Sequence, residues 1–267
     1  MDITIWTYII VIPLVFLGGL VDSIAGGGGL ISLPAYYLAG FSPIYALGTN
    51  KFSAVFGTSV AAYKYAKTGN LVWRVAAFSA IGCLLGAGGG TSLATLLDEK
   101  ILKIIVLVAL PCVAVFLALS KGLGRDGSEM KDLSKTKTAV VSLVIGLAIG
   151  FYDGLIGPGT GTFLILLFCG IFGMDMLRAG GCAKVANLAS NLASVIVVLR
   201  SGHIAFVVGI PAIFAAIAGN WCGSRMAIKG GAKRIRAAIY VVLALLFLKI
   251  VGDLSGFSIS DLGRLIK

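Results

Sequence analysis

The chain has 267 residues, of which 58% are hydrophobic and 12% charged, with a mean hydropathy of +1.03 and a formal net charge of +11. A soluble domain carries about 25% charged residues, so this composition cannot cover a globular surface with polar groups and excludes an ordinary soluble protein. Lipid is then the solvent, and apolar runs of about 18–23 residues call for helices and not for roughly ten-residue barrel strands.

In chain order, the first span is expected over residues 3–24. It follows Met1-Asp2 without a basic leader, so it is read as a retained span and not a cleaved signal. A run of four glycines, Gly26 to Gly29, breaks it. The next apolar piece, 30–39, is too short to cross, since a crossing needs about 20 residues. Phe41-Ser42-Pro43 marks a turn, and spans follow over 44–66, 71–97 and 101–119, the last with Pro111 as a kink candidate. Residues 121–138 form a polar linker of mixed charge. A second set then runs over 139–156, a break at 157–161, a short piece at 162–172, and spans at 177–199, 204–228 and 235–251. The expected units are a first transmembrane repeat (1–120), the linker (121–138), a second repeat (139–253) and a tail (254–267).

The two sets repeat each other. Asp22 recurs as Asp153, 131 positions later, and Gly48, Lys51, Lys67 and Gly69 recur as Gly181, Lys184, Arg200 and Gly202, each 133 later. A repeat that keeps its unusual residues as well as its apolar ones implies one structural unit used twice. The slip of two residues places a small insertion in the second copy.

Charge orients the chain. The linker and the stretch 225–236 each carry five Lys or Arg, and Lys64, Lys67 and Arg74 follow the third segment. If each repeat crosses an odd number of times, all three basic stretches fall on one side, as the positive-inside rule requires. The expected fold is therefore an all-α polytopic membrane protein of two inverted repeats. Each would have about four full transmembrane helices plus a short broken helix after its glycine-rich break. The linker would be cytoplasmic and the termini periplasmic or extracellular. The same rule accounts for the positive charge without nucleic acid.

The breaks carry the first functional expectation. Bare backbone at membrane depth persists only where protein buries it or a cavity reaches it, and doubled breaks in inverted repeats mark transporter sites. Helices starting just after the breaks aim N–H groups at them, which favours an anion. Gly27, Gly28 and Gly29 in one copy and Gly159, Thr160 and Gly161 in the other are the candidate backbone donors. Close helix packing is the alternative role for these glycines.

Lys51 and Lys184 come next. An ionisable residue inside a span faces a cavity or a partner. Two equivalent lysines can flank one anion across a pseudo-two-fold axis. Alternatively they snorkel to headgroups or pair with the aspartates. Asn187, Asn191 and Ser194 follow Lys184 at helical spacing and make one polar stripe. Around Lys51 the polar set is Asn50, Ser53 and Thr58. Asp22 and Asp153 are candidates for proton or cation coupling, or else cap a helix or neutralise the lysines; nothing in their spacing demands titration, and the structural role is expected.

Other chemistry finds little support. The five cysteines lie in apolar segments without a CxxC pair and read as packing residues. A lone His203 makes no metal site. No HExxH and no Gly-x-Ser-x-Gly motif occurs, so no enzyme, cofactor or metal is expected.

DSIAGGGGLISLP and ALGTNK in the first half, with FYDGLIGPGTGTF and GCAKVAN in the second, resemble the TauE/SafE family of sulfite and sulfonate exporters and permeases. The likeness covers residues 13–251. It implies a secondary transporter of the bacterial inner membrane that moves a small sulfur-containing anion by alternating access. Its partners would be the anionic substrate and the bilayer; with no ATP-binding segment in the sequence, coupling to a proton or ion gradient, or simple facilitation, is expected. An anion channel and a non-transporting membrane assembly subunit are the alternatives. Ala183 stands where the first copy has Asn50, so a site using Asn50 would be asymmetric.

Overall fold

The computed structural model describes residues 3–98, 101, 131 and 133–254. They form eight helices: α1 (Ile5–Ala25), α2 (Gly29–Leu38), α3 (Pro43–Lys67), α4 (Trp73–Leu96), α5 (Lys135–Leu155), α6 (Thr160–Phe172), α7 (Met176–Arg200) and α8 (Phe206–Leu254). Five stretches are long and apolar enough to cross a membrane: α1, α4, α5, α7 and the Phe206–Gly231 part of α8. The α3 helix is as long as α7, at 25 residues, and each holds one buried lysine in its interior, Lys51 and Lys184. With 10 and 13 residues, α2 and α6 reach about 15 and 20 Å at ~1.5 Å per residue, short of a hydrocarbon core of about 30 Å.

Local sequence sets the helix ends. Ser42-Pro43 starts α3 with proline at its first position, where the missing N–H costs nothing. Asp175 caps α7, its carboxylate accepting from the N–H groups of Leu177 and Arg178. Two expectations need correction. The helix expected from residue 139 begins at Lys135, because Ser134 caps it by accepting from Lys137 N, so the last four linker residues are helical. The basic stretch 225–236 is not a loop. It continues α8, interrupted only at Gly231, whose φ of 59° and ψ of −159° break the helical path. The span expected over 101–119 lies, apart from residue 101, outside the described residues.

The two-residue slip of the repeat falls in the short helix. Gly29 and Thr160, which open α2 and α6, are 131 apart, whereas Gly40 and Gly173, the left-handed residues after them, are 133 apart.

Helices approach through small residues, and the contacts recur in reciprocal pairs. A Cβ added at Gly86 would lie 2.2 Å from Leu147 O; at its counterpart Gly219 it would lie 2.1 Å from Phe16 O, the counterpart of Leu147. A Cβ on Gly90 would lie 2.1 Å from Phe151 O, and one on Gly223 2.2 Å from Leu20 O. A Cβ on Gly48 would lie 2.2 Å from His203 O, and one on Gly181 2.0 Å from Asn70 O. Thus α4 packs on α5 as α8 packs on α1, each helix seated against the other half of the chain. Gly90→Ala should therefore cost about 1–3 kcal/mol, because backbone must move. Gly88→Ala, with nothing within 4 Å, should be neutral or stabilising by up to about 1 kcal/mol. Thermal unfolding of the two variants in one detergent checks the contrast.

Candidate functional site

The two glycine breaks meet. Gly161 N donates to Gly26 O (3.1 Å), and Thr162 Oγ1 donates to Ala25 O (2.7 Å). Gly26 has φ of 80°, and a Cβ on it would fall 2.2 Å from Gly161 C. No side chain fits there, which is why glycine stands on both sides of the contact. The breaks also spend their N–H groups differently. Gly161 N is used on Gly26, whereas the N–H groups of Gly27 and Gly28 find no acceptor among the described residues. They lie at the N-terminus of α2, where the helix dipole adds positive potential.

The buried charges pair across the two halves. Lys51 on α3 donates to Asp153 Oδ2 on α5 (2.5 Å), and Lys184 on α7 donates to Asp22 Oδ2 on α1 (2.8 Å). Each lysine of one copy thus holds the aspartate of the other. The Lys51 and Asp153 side chains are 4% and 3% exposed, and Lys184 is 1% exposed, while Asp22 keeps 15%. Asp153 also accepts from Thr160 Oγ1 on Oδ1 (2.7 Å) and from the Ser190 hydroxyl on Oδ2. The Lys51 ammonium donates as well to Asn191 Oδ1 (3.0 Å), and Asn191 Nδ2 donates to Thr58 Oγ1 (3.3 Å). An ammonium has three donors, so Lys51 has one left over. The four charges sum to zero.

A cavity of about 50 Å³ lies at this junction. A single water needs about 10–15 Å³, so the space suits a few waters or one small ligand. Of the residues expected from the sequence, Gly28, Gly29, Asn50, Lys51, Ser53, Thr160, Asn187, Asn191, Asp22 and Asp153 line it, and Thr58 joins them. Gly27, Gly159, Gly161 and Lys184 do not. Gly161 is held against Gly26, and Lys184 sits behind Asp22. The polar stripe on α7 divides its work: Asn187 and Asn191 face the cavity, while Ser194 accepts from Thr91 Oγ1 (2.9 Å) on α4. The amides of Asn50 and Asn187 have no hydrogen-bond partner among the described residues and are free for a ligand.

Sequence reasoning missed Ser190, Thr162, Thr91 and Asn220. The first three are hydroxyls on helical faces crowded with small residues, where period alone does not separate a ligand-facing group from a packing one. Asn220 lines the cavity beside Ala216. It was detectable as an amide inside an apolar span that has no counterpart in the first copy.

A model of the family described as "Sulfite exporter TauE/SafE" matches residues 11–250. A probable membrane transporter protein, ORF9, of Sinorhizobium sp is 36% identical over 242 residues, covering 89% of this chain and 90% of its own length. A probable membrane transporter protein of Haemophilus influenzae is 32% identical, covering 96% of this chain and 99% of its own. The probable membrane transporter protein YfcA of Escherichia coli K12 is 29% identical, covering 90% and 88%. No solved structure matches the chain significantly.

Proposed function

Because the chain belongs to the TauE/SafE family, and so is a multi-pass membrane transporter and no enzyme, we propose that it carries a small sulfur-containing anion, such as sulfite or a sulfonate, through the cavity between its glycine breaks. The observation that carries this is the convergence, on one cavity, of the unspent Gly28 N–H at the start of α2, the Lys51 ammonium and free side-chain amides. Such donors in a water-poor site recognise oxyanions.

In this reading Gly28 and Gly29 present backbone donors with Gly27 just behind them, and Lys51 gives its remaining N–H. Asn50, Ser53, Asn187 and Asn191 complete the oxygen contacts. Gly159, Thr160 and Gly161 act one step back, by fixing Gly26 and Asp153. Lys184 acts through Asp22, cancelling a negative charge on the cavity wall that would repel the anion. The reciprocal helix contacts support two inverted repeats that move against each other to expose the cavity alternately. The membrane is the bacterial inner membrane, with the linker cytoplasmic and both termini outside. A proton or ion gradient drives the cycle.

Uptake of radiolabelled sulfite by liposomes holding the purified chain tests the proposal. Saturable uptake at slow turnover is expected; single-channel conductance in a planar bilayer would instead make it a channel, and an inert chain would leave it an assembly subunit. Lys184→Ala should insert normally yet lower kcat/KM by at least about tenfold, equivalent to ~1.4 kcal/mol. Adding Asp22→Asn to that variant should recover part of the loss, since the bare carboxylate goes. Normal uptake by Lys184→Ala would remove its assigned role.

A further inference from the structure

Asn220 on α8 stands outside the repeat: its counterpart 133 positions earlier is Ala87. It is 2% exposed and lines the cavity. Its Nδ2 donates to Ala216 O one turn back (3.0 Å), and this fixes the orientation of the amide, because the reversed amide would set oxygen against oxygen. The Nδ2 end is seated between two glycines of other helices. A Cβ on Gly19 of α1 would approach it to 2.8 Å, and one on Gly57 of α3 to 2.5 Å. Oδ1 is buried and accepts no hydrogen bond from any described residue. A buried acceptor left unmade is costly, and a helix that needed only close packing here would carry alanine, as the first copy does.

Resting on the anion-carrier reading, the geometry points to Asn220 as a specificity-determining residue whose Oδ1 accepts from an O–H or N–H on the transported anion. The substrate class narrows to small anions that carry a hydrogen-bond donor besides their charged oxygens. Two observations tie donor and anion to one molecule. The cavity, at about 50 Å³, has room for no more than one small ligand, and Lys51 and Asn220 both line it. A metal cation fits the orphan oxygen less well. Hard cations take about six or more oxygens, and the Lys51 ammonium shares the same space.

The test compares hydroxymethanesulfonate with ethanesulfonate, which have the same number of heavy atoms and differ as hydroxyl and methyl. Methanesulfonate is the donor-free reference. Calorimetric Kd values are measured on the full chain in detergent for wild type, Asn220→Leu and Asn220→Ala. Wild type should bind hydroxymethanesulfonate about tenfold or more tighter than ethanesulfonate. In both variants the ratio should fall to near one, with ethanesulfonate bound as well as before and the melting temperature of the ligand-free protein not lowered. A purely structural asparagine would instead lower that temperature and weaken all three ligands alike. A ratio near one in wild type, as when water satisfies Oδ1, overturns the inference, and so does a ratio that survives in the variants. Stabilisation by sodium over choline chloride that vanishes with Asn220 would replace the donor with a cation. If none of the three sulfonates binds, the anion reading falls and this inference falls with it; binding without discrimination removes this inference alone.

Discussion

Asp153→Leu is expected to lower the stability of the folded protein by about 3–5 kcal/mol, because it strands a buried ammonium. Lys51 is 4% exposed, and its other partner is the neutral Asn191 carbonyl. The replacement also takes the acceptor from the Ser190 hydroxyl and one of two acceptors from Thr160. Removing both charges together is a different matter, since apolar groups of similar volume often replace a buried pair at little cost. Lys51→Met with Asp153→Leu should therefore recover most of the stability lost in the single variant. A double-mutant cycle of thermal unfolding in detergent measures the coupling. A single Asp153→Leu variant as stable as wild type would mean that the ammonium does not depend on this carboxylate.

The second large effect is expected at the meeting of the breaks. Gly26→Ala adds a Cβ 2.2 Å from Gly161 C and 2.4 Å from Thr162 N, all backbone, on a residue with φ of 80°. The two breaks must separate, which severs the Gly161 N to Gly26 O bond and the Thr162 to Ala25 bond. A loss of at least about 3 kcal/mol follows from overpacking added to left-handed strain. Gly40→Ala isolates the strain. Gly40 has φ of 85° but nothing within 4 Å, so its cost should stay near 1–2 kcal/mol. Equal melting temperatures for the two variants would mean that the breaks are not packed together.

Much of this architecture was legible because membrane helices announce themselves by length and polarity. Both short helices, both breaks and the turn at Ser42-Pro43 follow from rules of that kind. The α7 stripe was legible because Lys184, Asn187 and Asn191 share a helical face. Periodicity names a face, however, and not the neighbour it meets. Each lysine pairs with an aspartate in the other half of the chain, 102 residues away for Lys51 and 162 for Lys184. Pairing of lysines with aspartates was foreseeable; its crossed order was not.

Repeat symmetry also misled in one respect. It made Gly159 and Lys184 look equivalent to Gly28 and Lys51, whereas the cavity sits to one side and takes in Gly28 and Lys51 but not their opposite numbers. The basic stretch at 225–236 looked like a loop because its charges are dense. The helical path breaks within it at Gly231, whose φ of 59° glycine adopts readily.

The most direct test of the central claim is the affinity for sulfite of the Lys51→Met/Asp153→Leu variant, measured by calorimetry beside wild type. That variant is expected to fold and is net-neutral at the site, but lacks the ammonium in the cavity. Wild type should bind sulfite, and the folded double variant should bind it at least about a hundredfold more weakly, a difference of ~2.7 kcal/mol. Sulfite bound equally well by both would place the anion elsewhere in the molecule and contradict the assignment of the cavity between the glycine breaks.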